Sequence, residues 1–181
     1  MPTRPHRLQS MLRHPRLYVL ASSLVASLAL AQSGPSLAGH YALATSRSAA
    51  EATIERAIDA ATEEMGPLRG HVARNRLEAK NPVLGSIDIA VDESRVRIGY
   101  GDHTFAIQRG AFGAVRTPDG ETAQARATLE GNRLTVDWRL DQGSRRDVFV
   151  REGDTLRLSI QISHEQLPAD MRYRLRFRAG G

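Results

Sequence analysis

The chain has 181 residues, 25 Lys+Arg against 20 Asp+Glu, and no cysteine. The missing cysteine excludes disulfide staples, thiol catalysis, Cys-based zinc sites and lipid attachment through a cysteine. A formal charge of +5 has the sign of a polyanion binder, but the charge is unevenly spread, and its distribution removes that meaning.

Residues 1–31 read as a secretory signal peptide. Arg4, Arg7, Arg13 and Arg16 form a basic, acid-free start, and Leu17 to Ala31 is an apolar run. It ends in Ala29-Leu30-Ala31, the small-x-small pattern of a cleavage site, so cleavage is expected before Gln32. A membrane-spanning helix needs about 20 apolar residues, and Ser22, Ser23 and Ser27 weaken this run further, which leaves an uncleaved anchor as the lesser alternative. Loss of those four arginines leaves 21 basic and 20 acidic residues. A nucleic-acid partner needs a surplus of cations, so none is expected. The expected product is a soluble periplasmic or secreted protein of one domain, 32–181, with no transmembrane span after cleavage.

A polar lead and a first strand occupy 32–47, with Leu37 to Leu43 as the strand. A helical segment follows over 48–80. Ser48-Ala49-Ala50-Glu51 has the form of a capping box, and Ile54, Ala57, Ile58, Ala61 and Met65 make one apolar stripe. Gly66-Pro67 breaks the helix, and a second piece, Leu68 to Ala79, carries Leu68, Val72 and Leu77 and stops at Asn81-Pro82.

Over 84–178 the apolar period changes from 3.6 to 2. Ile87, Ile89 and Val91 are followed by Val96, Ile98 and Tyr100, then Phe105 and Ile107. After a Gly-rich passage come Ala123, Ala125, Ala127 and Leu129, then Leu134, Val136, Trp138 and Leu140. Arg146 to Arg151, Leu156 to Ile162, and Tyr173, Leu175 and Phe177 complete the set. Turn residues separate these runs. The reading is a mainly β fold: a small antiparallel barrel or sandwich of eight to nine strands, with one or two helices near the mature N-terminus. A barrel flanked or plugged by the helical segment is favoured.

The order of export signal, Leu37-Ala38-Gly39-His40-Tyr41, and successive antiparallel strands resembles uncharacterised secreted bacterial lipocalin-like (calycin-type) envelope proteins. In that pattern Gly and Trp open the first strand, and the Trp closes the barrel floor under a base from a late strand. Gly39 and Tyr41 match, with Tyr for Trp, and Arg172 to Arg178 offer the late-strand bases. This chain departs from the pattern in placing its helices after the first strand. The C-terminal half is similar to secreted bacterial proteins ending in a Leu-Pro-x-x-x-x-Tyr-x-Leu hairpin, here Leu167 to Leu175. The resemblance implies a barrel and brings no activity with it.

Candidate chemistry is sparse. Arg172, Arg174 and Arg176 share one face of the last strand with Arg178, opposite Tyr173, Leu175 and Phe177, and suit anion contact. The plainer reading is a solvated face paired with acids such as Asp137 or Asp147 on neighbouring strands. Arg69 and Arg76 on the second helix are further anion-contact candidates, again against a solvated face. No HExxH, G-x-S-x-G or S-x-x-K occurs, and His40, His71, His103 and His164 lack zinc spacing, so no catalytic residue, metal or cofactor is assigned. Tyr41, Tyr100, Phe105, Trp138, Tyr173 and Phe177 are the candidates for lining a ligand cavity, with the three alanines of 123–127 leaving room.

The function expected is non-catalytic binding of a small apolar, amphipathic or lipid ligand inside a barrel. The alternative is a structural or protein-interaction component of the cell envelope with a filled core. An outer-membrane barrel is disfavoured by an aromatic content of 5% and by strands shorter than about 9–11 residues.

Overall fold

A computed structural model describes residues 36–118 and 120–180. The expected export segment and the cleavage position before Gln32 lie outside those residues. Strand β1 (Gly39–Leu43) leads into helices α1 (Arg47–Thr62) and α2 (Pro67–Lys80). Then follow β2 (Ser86–Val91), β3 (Arg95–Tyr100), β4 (His103–Gln108), β5 (Gly113–Arg116) and β6 (Thr122–Glu130). The remaining strands are β7 (Arg133–Leu140), β8 (Gly143–Glu152), β9 (Thr155–His164) and β10 (Met171–Ala179). The count is ten rather than eight to nine. The strand missed in the sequence is β5, four residues long, flanked by glycines and burying only Val115.

The strands form one antiparallel sheet in the order β4-β3-β2-β1-β10-β9-β8-β7-β6-β5. β1 joins the two halves, with Tyr41 opposite Ile87 on β2 and opposite Ala179 on β10. The outer strands curl toward each other, which makes a nearly closed barrel rather than a sandwich. At the seam the Gly110 amide donates to the Ala127 carbonyl at 2.9 Å. Gly110 has φ 76°, a left-handed conformation that favours glycine. Gly143 is required for another reason: a Cβ there would lie 2.3 Å from the Ser163 carbonyl oxygen on β9.

One end of the barrel is closed around Tyr41. Its ring is fully buried, and its hydroxyl donates to the Leu37 carbonyl at 2.9 Å. The Arg151 guanidinium lies 6.0 Å from the ring centroid, and Arg151 donates to the carbonyls of Gly153 and Ser36. Burial raises the Tyr41 pKa, with Arg151 opposing it. Tyr41 thus takes the floor position that the sequence resemblance implied, but the base above it comes from β8. Arg172, Arg174, Arg176 and Arg178 point outward and are exposed, because they alternate with the buried Met171, Tyr173, Leu175 and Phe177.

The middle of the barrel is filled. Ile98, Ile107, Ala125, Ala127, Val136, Phe149, Leu158 and Phe177 have no accessible surface at all, so no water-sized void touches them. Ala125 and Ala127 therefore do not leave room; they fit where larger neighbours already meet. Asp147 is also fully buried inside, not on the outer face beside the arginines.

The helices differ in how they are held. The N-cap of α1 is Ser46, whose side chain accepts from the Ala49 amide; Ser48 lies within the helix and Glu51 pairs with Arg47, so the expected capping box does not form. The stripe of Ile54, Ala57, Ile58 and Ala61 is buried as expected, while Met65 falls beyond the helix end. In α2 Pro67 takes the first position, and Gly70 is the one fully buried residue. Leu68 and Val72 are 79% and 44% exposed, and of the expected apolar set only Leu77 packs on the core. Leu77, Leu68 and Val72 do not make a single stripe, which is why the helix has no face to bury.

Replacing Ala127 with Leu tests the filled interior. Overpacking is expected to cost about 1–3 kcal/mol in urea-unfolding free energy. A neutral result would mean that the barrel wall has spare volume at β6.

Candidate ligand site at the helix-capped end

The end opposite Tyr41 gathers the β3–β4, β7–β8 and β9–β10 connections and the two helices. Alternation along each strand sends one side chain in two toward the axis. Tyr100 ends β3, Phe105 lies near the start of β4, Trp138 near the end of β7, and Tyr173 near the start of β10. Ring centroids are 5.7 Å apart for Tyr100 and Phe105 and 5.3 Å apart for Phe105 and Trp138, both edge-to-face. Phe149 lies beneath, 6.3 Å from Tyr100. Of the six predicted cavity residues, Tyr100, Phe105 and Trp138 thus form one aromatic wall. Tyr173 stands at the same end on β10, whereas Tyr41 and Phe177 belong to the filled lower barrel.

A polar cluster that the sequence reading missed sits against this wall. Asp147 accepts from the Tyr100 hydroxyl at 2.7 Å, the Trp138 indole N–H at 3.2 Å and Arg145 Nε at 2.7 Å. The Arg145 side chain is 23% exposed, while Asp147 has no exposure. Three donors engage both oxygens of the carboxylate, the arrangement a buried acidic side chain requires. Burial, then the Asp147 charge, pushes the Tyr100 pKa well above its ordinary value, and burial pushes Tyr173 up to about 12, with Arg145 opposing and Asp147 assisting. Both phenols remain donors at neutral pH. Tyr173 donates to Asn81 Oδ1 at 3.3 Å, and Asn81 in turn donates to the Leu77 carbonyl at 2.8 Å, which ties the end of α2 to β10. An Arg74–Asp59 ion pair joins α2 to α1.

The anion-contact candidates lie elsewhere. Arg172 and Arg174 line an outer groove of about 490 Å³ together with Arg146, Ser159 and Gln161. Arg172 is engaged by Asp170 at 2.9 Å, and Arg146 by Asp137 at 2.7 Å. Arg176 faces Arg157 across the β9–β10 ladder. Arg69 and Arg76 are exposed on α2, outside that groove. His40 binds Asp88 at 2.8 Å, and among the described residues no three His, Asp or Glu side chains converge as a metal site. No helix among the described residues is long and apolar enough to cross a membrane.

This architecture is an antiparallel barrel of ten strands curled around an apolar interior, with a helix pair between the first two. In fold the chain is similar to a fatty-acid-binding protein of Schistosoma mansoni solved with arachidonic acid (TM-score 0.52, 10% identity, 82% of this chain and 99% of that one). It is also similar to the fatty-acid-binding protein of Manduca sexta (TM-score 0.51, 16% identity, 80% and 100%). A third similar structure is the fatty acid transporter REP1-NXSQ (TM-score 0.51, 11% identity, 80% and 96%). At these identities the likeness is one of fold. No protein-family model matches the chain, and no curated protein matches it in sequence.

Two stability predictions follow from the ion pairs. Asp147→Ala strands the Arg145 cation beside an apolar wall and is expected to cost about 3–5 kcal/mol in chemical denaturation. Asp137 behaves differently because it faces out. Burial raises its pKa, but hydrogen bonds from Arg146 and Arg126 outweigh that and leave it below 3.8. Its stabilising contribution is therefore complete above that value and lost as pH falls through the lower folded value. Asp137→Asn should remove that part of the acid-induced loss, read as a flatter stability profile below about pH 4 in acid titration followed by circular dichroism.

Proposed function

We propose that the protein is an exported, non-catalytic barrel that binds one small apolar or amphipathic molecule at its helix-capped end. The observation that carries this reading is the aromatic wall of Tyr100, Phe105 and Trp138 around a fixed polar cluster, beneath a helix that buries almost nothing. Apolar sites with a few convergent polar groups are the usual form of small-ligand sites. The fold is shared with proteins described as fatty-acid-binding, one of them solved with arachidonic acid. The filled lower barrel confines the ligand to the upper part, so binding requires α2 to part from the mouth. Its anchors there include Asn81 to Tyr173, Arg74 to Asp59 and the packing of Leu77 on the core. Export to the periplasm or beyond rests on residues 1–31.

A second reading, a structural or interaction component of the envelope, is favoured by one observation: Tyr41, Leu158 and Phe177 are buried without remaining surface. The two separate in native mass spectrometry of residues 32–181 purified from the periplasm without detergent, followed by organic extraction. A stoichiometric co-purifying small molecule is the expected result. A uniformly ligand-free mass that added lipids do not change would favour the filled-core reading and move the search to protein partners.

A further inference from the structure

Among the described residues, the inward strand positions carry three fixed charges: Arg145, Asp147 and Arg151. His103 and His164 sit on the same face at the rim, His103 exposed and His164 partly so. Arg151 is committed to the floor, where it holds the carbonyls of Ser36 and Gly153. On the barrel wall at the helix-capped end the fixed charges are therefore the pair on β8, two residues apart and joined at 2.7 Å. Their sum is zero. Asp147 has both oxygens occupied, one by Arg145 Nε and the other by Tyr100 and Trp138. Arg145 has Nε engaged, and its two Nη groups make no hydrogen bond to the described residues, while its side chain keeps 23% exposure.

We infer that the ligand's polar head is uncharged, a hydroxyl or a carbonyl oxygen of an ester or ketone, and that Arg145 donates to it. This rests on the reading of the barrel as a ligand carrier and specifies its ligand. A neutral acceptor takes the spare Arg145 donors and leaves the buried pair intact and balanced. A carboxylate placed there would put a second anion beside Asp147 and leave that part of the wall with one uncompensated negative charge. Drawing Arg145 away to answer the newcomer is no remedy, because Asp147 would then keep only the Tyr100 and Trp138 donors while fully buried. The free acid is thus selected against by a charge already built into the wall.

Trp138 is the sole tryptophan of the chain, and its indole touches the cluster, so its fluorescence reports binding there. The test titrates the purified protein with oleyl alcohol and with oleic acid at a pH where the acid is ionised. The alcohol is expected to bind at least about tenfold more tightly, a difference equivalent to about 1.4 kcal/mol. Equal binding, or tighter binding of the acid, overturns the inference while leaving the carrier reading in place. Binding of neither molecule overturns both. Asp147→Asn leaves Arg145 unbalanced and should shrink the preference by raising affinity for the acid about tenfold; a folded variant that keeps the wild-type preference also overturns the inference. If that variant fails to fold, the wild-type comparison decides alone.

Discussion

A carboxylate with no path to water has to have its charge answered inside the protein, and Asp147 sets that demand at the centre of this barrel. Its three donors arrive from three places: Tyr100 from β3, Trp138 from β7, and Arg145 from its own strand. β3 and β8 are far apart in the sheet order, so the Tyr100–Asp147 bond spans the lumen rather than the ladder. It fixes the diameter of the barrel at one level and the positions of the rings above it. Hydrophobic packing alone specifies such distances loosely, since apolar side chains repack at little cost. A buried polar cluster with every member engaged allows fewer arrangements.

The two ends of the barrel are built on different principles. At the floor, Tyr41 and Arg151 fasten backbone carbonyls of the segment leading into β1, so the chain itself is the stopper. At the other end the cover is a pair of helices of unequal attachment. α1 buries a continuous stripe against the barrel, while α2 buries Gly70, packs Leu77 on the core, and adds an ion pair to α1 and a phenol–amide contact at its C-cap. Local opening free energy follows buried apolar contact, so α2 is the element that opens at least cost.

Most of the fold was legible because period-2 alternation survives in eight of the ten strands, and turn residues mark their ends. β5 was lost since four residues with one buried side chain carry no periodicity. The orientation of β10 was equally clear, with arginines strictly on one phase. β8 was not: Arg145, Asp147 and Phe149 share one phase, while Arg146, Val148 and Val150 share the other. With an apolar residue on both phases, the alternation cannot say which faces inward, and two charges on the same side as Phe149 argue for the wrong answer. Hence the aromatic wall was foreseeable residue by residue, but the cluster that organises it was not. Asn81 was hidden for a similar reason, since an Asn before Pro reads as a helix stop, and its contact with Tyr173 spans 92 positions.

The chain order of the sheet gives the outward arginines of β10 another consequence. β10 is the last strand in sequence, yet it fills the place between β1 and β9. Until it docks, the sheet has two extra open edges. The strand itself is then a free segment alternating aromatic and aliphatic residues, the composition from which intermolecular strand stacks form. Four arginines on its other phase place like charges in register whenever two such segments approach. In the finished barrel they cost little because they face water. In the unfinished one they act as gatekeepers, so that the barrel closes on its own last strand rather than on a neighbour's.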